Sequence, residues 1–221
     1  MIFELQSKFI ENKYNITINT WDQLAHVYQD KFMDLTIYNH SYDRFCELID
    51  HIDNSVLEIG CGPGNITKYL LNKRPELKIT ATDVSPNMIA LAKQNVLAAE
   101  YLVIDAREIE KLNRTFNGIM CGFCIPYLAR EDVNKMIKDC YNLLTAKGIL
   151  YISAIEGHYD QSKFEYGSVP DLKTFVHYYS EQDLSDYLLK MGFKIAENFR
   201  IPYLKKDGSQ ETHLILIALK P

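Results

Sequence analysis

Four short features of the chain carry the residue types that ligand chemistry needs. Val56-Leu57-Glu58-Ile59 runs straight into Gly60-Cys61-Gly62-Pro63-Gly64, and Asn65 to Leu71 then resumes helical spacing. Glycines at a strand-to-helix turn permit φ > 0 and let the backbone approach a ligand. The N–H groups of the following helix point into the crevice at the strand's carboxyl end. Alone, such a loop is equally consistent with a tight turn; three acids near it favour binding. Asp83 closes the run Ile79-Thr80-Ala81-Thr82, 19 residues after Gly64, where a carboxylate can accept hydrogen bonds from a ribose diol. Ser85 before Pro86 already fills the helix-cap role, so Asp83 is not needed there. Asp105 ends Tyr101-Leu102-Val103-Ile104 beside the small Ala106, where it can accept from an adenine amino group. Glu58 interrupts an apolar strand, and a buried carboxylate needs a cationic or hydrogen-bonded partner. It would repel a pyrophosphate and attract an ammonium, so the expected ligand joins an adenosine to an amine.

Together, Glu58 to Gly64, Asp83 and Asp105 resemble the motifs of the class I S-adenosylmethionine-dependent methyltransferases. The resemblance covers roughly residues 55–155 in element order. It extends to Leu143-Leu144-Thr145-Ala146-Lys147-Gly148, similar to that family's turn before the fifth strand, and to the helix between Tyr179 and Phe193. It implies a Rossmann-like α/β fold with strand order 3-2-1-4-5-7-6, the last strand antiparallel, and S-adenosylmethionine across the carboxyl ends of the first strands. By position, Glu58 would face the methionine amino group. Gly60, Cys61, Gly62 and Gly64 would surround the methionine part, with backbone groups near Cys121 and Gly122 touching it and Tyr28 beside its carboxylate. Asp83 would hold the ribose, Val84 and Met88 the adenine faces, and Asp105 and Ala106 the adenine edge. Of the methyl acceptor the resemblance says almost nothing.

Periodicity supplies the elements that must position these groups. Thr20 with Gln23 forms a capping-box pattern opening a helix with Trp21, Leu24, Ala25, Tyr28 and Phe32 on one face. Ser41 opens a second, with Phe45, Leu48, Ile49 and Ile52 in one stripe, broken at His51-Ile52-Asp53-Asn54. Apolar runs at 55–59, 78–82, 101–104, 117–123 and 149–154 then alternate with helical patterns, the signature of a mainly parallel sheet covered on both faces. Helices are expected from about 86 to 97 and over Val133 to Leu144, the second stopped by Gly148, and over 180–192 between Ser180 and Gly192. Residues 193–200 and 212–219 read as an antiparallel hairpin turning at Lys206-Asp207-Gly208-Ser209, giving seven strands. One domain is expected over 1–221: a helical cap to residue 54, a cofactor-binding core over 55–155, then a substrate loop, last helix and hairpin over 156–221.

The remaining constellations are less informative. Cys121 and Cys124 form a C-x-x-C without a second pair or histidines to complete a zinc site, so no metal is expected. Cys124-Ile125-Pro126-Tyr127 lacks the polar residue of amino-group methyltransferases, and Pro126 reads as a helix-terminating turn. Tyr69 with Lys73 and Tyr159 with Lys163 match a dehydrogenase pair by coincidence of spacing. The connection 155–179 is rich in aromatics that could wall an acceptor pocket with Trp21 and Tyr28. His158, His177 and Tyr28 are the candidates for acting on the acceptor there, although packed or surface roles suit both histidines better.

Among 221 residues, 47% are hydrophobic and 24% charged, which excludes a disordered or collagen-like chain. A net charge of −5 gives no general attraction to phosphate backbones or anionic lipid. Five scattered cysteines suit a reducing compartment, and neither a signal peptide nor an apolar span is read. The expected function is therefore cytoplasmic methyl transfer from S-adenosylmethionine to an oxygen or nitrogen of a small molecule, by a monomer or homodimer without nucleic-acid or membrane partners. The alternatives are a non-catalytic S-adenosylmethionine-binding regulator and, disfavoured by Glu58 and the loop spacing, a nicotinamide-dependent oxidoreductase.

Overall fold

The computed structural model describes residues 2–49, 54–167, 169–205 and 207–221, residues 2–9 by backbone alone. Three helices come first: α1 (Ile2–Gln23), α2 (Ala25–Phe32) and α3 (Asn39–Leu48). An alternating region follows, with β1 (Ser55–Ile59), α4 (Asn65–Lys73), β2 (Lys78–Asp83), α5 (Pro86–Asn95), β3 (Glu100–Val103), β4 (Phe116–Cys121), α6 (Arg130–Leu143) and β5 (Leu144–Ile155). Last come β6 (Lys163–Tyr166), β7 (Lys173–Val176), α7 (Glu181–Lys190), β8 (Lys194–Leu204) and β9 (Gln210–Leu219). Seven strands form one sheet in the order β3-β2-β1-β4-β5-β9-β8, parallel through β5, with β9 antiparallel to both its neighbours. This is the expected Rossmann-like arrangement.

Strand alternation divides the core between the two faces. Leu57, Ile59, Ile119, Cys121, Leu150 and Ile152 pack on one face with Val133, Met136 and Ile137 of α6 and Leu184 and Leu188 of α7. Val56, Met120, Ile149 and Tyr151 pack on the other with Phe45 of α3, Ile66 and Leu70 of α4, and Ile89 and Ala92 of α5. Glu58 shares this second parity, which turns it towards α4.

Several boundaries differ from the sequence reading. The first helix does not start at Thr20: the backbone is helical from Ile2, and its axis breaks only at Leu24. The hydroxyl-bearing turn that resembled a cap instead joins α1 to β7, since Thr20 Oγ1 donates to the Lys173 carbonyl at 2.8 Å and Thr17 Oγ1 accepts the Phe175 N–H at 2.9 Å. Thr20→Val should accordingly lower stability by about 1 kcal/mol, measurable as a reduced denaturant midpoint. Tyr38, not Ser41, precedes α3; Ser41 Oγ donates back to the Tyr38 carbonyl within the first turn. Of the pattern break expected at 51–54, residues 51–53 lie outside the described residues, as do Ile52 of the apolar stripe and Lys206 of the hairpin turn. Gly148 does not end α6: the helix closes at Leu143, and Lys147 takes the left-handed conformation, with φ 63°. Pro126 does not terminate a helix but lies within a short 3-10 turn, Ile125–Tyr127. The hairpin β6–β7 was not read from the sequence at all.

Candidate active site

The glycine loop closes the carboxyl end of β1 where neighbouring connections diverge to β2 and β4, the place at which open α/β sheets bind ligands. Gly62 and Gly64 have φ of +53° and +88°, values that other residues adopt only with strain. A Cβ on Gly62 would stand 3.4 Å from the Tyr28 ring, and one on Gly64 3.4 Å from the Cβ of Ala92. The loop is therefore pressed between α2 and α5 and presents bare backbone to the cleft, with the N-terminus of α4 behind it.

That cleft encloses about 810 Å³ including its open mouth. Along the strand order β3-β2-β1-β4, the cleft is lined by Asp105, Ala106 and Arg107 after β3, Asp83, Val84, Ser85 and Met88 after β2, Gly60 and Gly62 after β1, and Gly122, Phe123 and Tyr127 after β4, with Tyr14, Trp21 and Tyr28 from the cap helices. The acids and small residues expected at the adenosine half are thus brought together, and α1 and α2 contribute Tyr14, Trp21 and Tyr28. Cys61 and Gly64 are set behind this surface. The Cys61 thiol is buried, and burial raises it well above its ordinary range. The Cys121 side chain faces α6, with Sγ 3.9 Å from the Met136 sulfur, while the next residues Gly122, Phe123 and Cys124 line the cleft. A Cβ on Gly122 would stand 2.2 Å from Ile66 Cδ1, so this position requires glycine unless Ile66 moves.

Asp83 is fixed by two backbone donors, Gly62 N–H to Oδ2 and Ser85 N–H to Oδ1, each at 2.9 Å. Burial raises its pKa, and those N–H groups oppose the rise. Each oxygen keeps a lone pair for a further donor. Asp105 is committed to a partner the sequence reading overlooked: Arg107 donates to both its oxygens, with Nη2 to Oδ2 at 2.6 Å, and lies 4.1 Å over the Tyr14 ring. Arg107 stands two positions from Asp105, so the pairing was available as a local signal. A second missed contact is Asp22 of α1, whose carboxylate accepts from the Ser85 hydroxyl at 2.6 Å and the Asn87 N–H at 3.0 Å. It ties the cap helices to the start of α5.

Glu58 is 1% exposed and lies under the glycine loop, off the cleft surface. Its Oε2 accepts from Thr67 Oγ1 at 2.6 Å, whereas Oε1 has no partner among the described residues. Burial pushes its pKa up to about 8, moderated by the hydroxyl and N–H of Thr67. An orphaned buried carboxylate oxygen beside a bare glycine loop fits a ligand ammonium, and the doubly held Asp83 fits a diol.

The two candidate histidines are elsewhere. His158 is exposed at the start of a short 3-10 turn. His177 is buried in a separate cavity with Lys13, Tyr159 and Phe175, which meets the cleft only at Tyr14 and Tyr127. Burial, with Lys13 assisting, pushes the His177 pKa down to about 4. Of the aromatics of 155–179, Tyr159 and Phe175 line that second cavity and none lines the cleft, where the ring packed edge-on to Trp21 from this side is Tyr127, 5.6 Å between centroids. The pocket expected between the Trp21–Tyr28 helix and the 155–179 connection is therefore divided in two. No group of three or more potential metal ligands is found among the described residues, and no helix there is long and apolar enough to cross a membrane.

Residues 56–148 match a family model described as a methyltransferase domain. The tRNA N(3)-methylcytidine methyltransferase trm141 of Schizosaccharomyces pombe is 24% identical over 90% of this chain and 89% of its own. A malonyl-[acyl-carrier protein] O-methyltransferase of Bacillus anthracis is 28% identical over 67% of this chain, which spans about half (53%) of that enzyme. Magnesium protoporphyrin IX methyltransferase of Synechocystis, solved with S-adenosylmethionine bound, superposes with a TM-score of 0.61 at 17% identity, covering 84% of this chain and 81% of that one. Residues 56–148 thus form a methyltransferase domain, and the fold around them is that of the S-adenosylmethionine-dependent methyltransferases. The donor set of the cleft fits S-adenosylmethionine, the molecule bound in the Synechocystis structure.

Proposed function

We propose that this methyltransferase acts on an oxygen or nitrogen atom of a small molecule seated against the aromatic lining of the cleft. The observation that carries this reading is the aromatic lining of Trp21, Tyr28, Phe123 and Tyr127, in which Trp21 packs 5.4 Å from Tyr28 and 5.6 Å from Tyr127. In this reading Asp83 accepts from the ribose hydroxyls, Asp105 and Ala106 meet the adenine edge, and Val84 and Met88 lie against its faces. Gly60, Gly62 and Gly122 pass close to the methionine part, Glu58 supplies a counter-charge to its ammonium through the loop, and Tyr28 stands near its carboxylate.

The bound cofactor supplies an electrophilic methyl on a sulfonium. The chain's part is to align the nucleophile and exclude water, which requires the reacting atoms within about 3–3.5 Å and in line. Aromatic faces favour the positive sulfur and keep the transfer dry, so neither a metal nor a covalent intermediate is required. Cofactor binding without turnover would instead make the chain a regulator.

One observation favours a second reading: the resemblance to trm141 runs the length of both chains, and that relative is named for tRNA. The net charge of −5 opposes it, because affinity for RNA is built on neutralised phosphates. Formation of S-adenosylhomocysteine should be followed with a panel of metabolite alcohols, phenols, carboxylates and amines, and in parallel with bulk tRNA. Turnover with a panel member and none with tRNA is expected; salt-sensitive turnover on tRNA alone would overturn the small-molecule reading.

A further inference from the structure

Phe123 lines the cleft with φ of +58°, a left-handed conformation that a bulky residue keeps only where its surroundings hold it. It sits between Gly122, which passes close to the methionine part in the reading above, and Cys124, which also lines the cleft. A Cβ on Gly60 would lie 3.0 Å from Cys124 Cβ, so the Phe123 turn also sets how closely β4 approaches the glycine loop.

Three parts of the chain hold that turn. From β5, the buried Ser153 accepts the Phe123 N–H at 2.7 Å. From the start of α3, the Tyr38 ring packs 4.9 Å from the Phe123 ring. From β9, the His213 ring packs 4.7 Å from it. His213 is itself held at both nitrogens, Nδ1 by the Tyr38 hydroxyl at 2.6 Å and Nε2 by Glu211 Oε1 at 3.0 Å, and Tyr203 stacks on its face 4.7 Å away. A carboxylate only accepts, so Nε2 carries the proton towards Glu211, and in the neutral ring Nδ1 accepts from Tyr38. Glu211 continues outwards to Lys205, 3.4 Å away, which binds Glu165 at 2.9 Å. A polar chain thus runs from the edge hairpin β8–β9 to the back of the cleft wall.

We infer that Tyr38, His213 and Glu211 are positioning residues for methyl transfer, holding the strained Phe123 turn and through it the methionine end of the cofactor site. The inference rests on the assignment of the cleft to S-adenosylmethionine. Binding of S-adenosylhomocysteine by calorimetry tests it without knowledge of the acceptor. Tyr38→Phe removes one hydroxyl and keeps the ring; His213→Phe keeps the stack on Tyr203 and loses both hydrogen bonds. Each should weaken binding about three- to tenfold with the near-ultraviolet circular dichroism retained. Phe123→Gly, which tolerates φ of +58°, should weaken it at least as much. Because the chain acts through Phe123, adding Tyr38→Phe to Phe123→Gly should cost nothing further, a non-additivity that a merely structural role would not produce. Losses that multiply in the double variant, or single variants that lower the melting temperature yet bind like wild type, would overturn it. Failure of the wild-type chain to bind S-adenosylhomocysteine would instead remove the cofactor assignment itself.

Discussion

Asp83→Ala is expected to weaken S-adenosylhomocysteine binding about ten- to a hundredfold, since each hydrogen bond to a charged acceptor contributes about 1.5–3 kcal/mol. The carboxylate does two things at once. It offers lone pairs to the cleft, and it holds the Gly62 N–H and the Ser85 N–H at 2.9 Å each. Alanine removes the first function and leaves two backbone donors without their acceptor, at about 1–3 kcal/mol each where water cannot replace it. The melting temperature should therefore fall as well, by about 2–4 °C for each kcal/mol lost in a chain of this size. Asp83→Asn separates the two effects: its amide oxygen can keep one of the backbone bonds, so stability should recover more than affinity. Calorimetry and thermal denaturation measured together decide the matter, and unchanged affinity in Asp83→Ala would remove Asp83 from the site.

What could be read from the sequence was what is local. The glycine loop, Asp83 and Asp105 sit at fixed distances from strand ends, so their place at one sheet edge follows from the element order alone. The strand order is what the resemblance of those motifs to a known family implies, and the sheet has that order. The missed features depend on distant parts of the chain meeting. Thr20 looked like a cap because its partner, the Lys173 carbonyl, lies on a hairpin whose strands have four residues each, too short to show periodicity. His213 looked like an ordinary strand residue, and only folding brings Tyr38, 175 positions away, onto its Nδ1. His177 drew notice for its place in an aromatic loop, yet the hairpin carries it behind Tyr127 into a different cavity. At Cys121 the sequence suggests only a backbone contact, and strand parity accordingly sends its side chain to the α6 face while Gly122 lines the cleft.

Glu58 is the site residue whose charge should change when the cofactor binds. With its pKa pushed up to about 8 by burial, the free protein holds this carboxyl mostly protonated at neutral pH. An ammonium arriving near the partnerless Oε1 favours the ionised form and lowers the pKa. Binding at pH 7 should therefore release close to one proton, seen as a binding enthalpy that differs between buffers of low and high ionisation enthalpy. Glu58→Gln should abolish that difference and weaken S-adenosylhomocysteine binding roughly tenfold or more, in keeping with about 1.5–3 kcal/mol for a charge-assisted contact. The sign for folding runs the other way. A folded pKa above the ordinary 4.5 of a glutamate favours the native state below that value, and the advantage is lost as pH rises through about 8. The cofactor-free protein should thus lose stability between pH 5 and pH 9, and Glu58→Gln should flatten that decline so that the variant overtakes the wild type at the alkaline end. Saturating S-adenosylhomocysteine should restore the wild type there, because the ammonium across the loop then supplies the counter-charge that the buried carboxylate lacks. Equal proton release by the wild type and Glu58→Gln would show that another group meets the ammonium, with Asp83 the neighbouring carboxylate to examine.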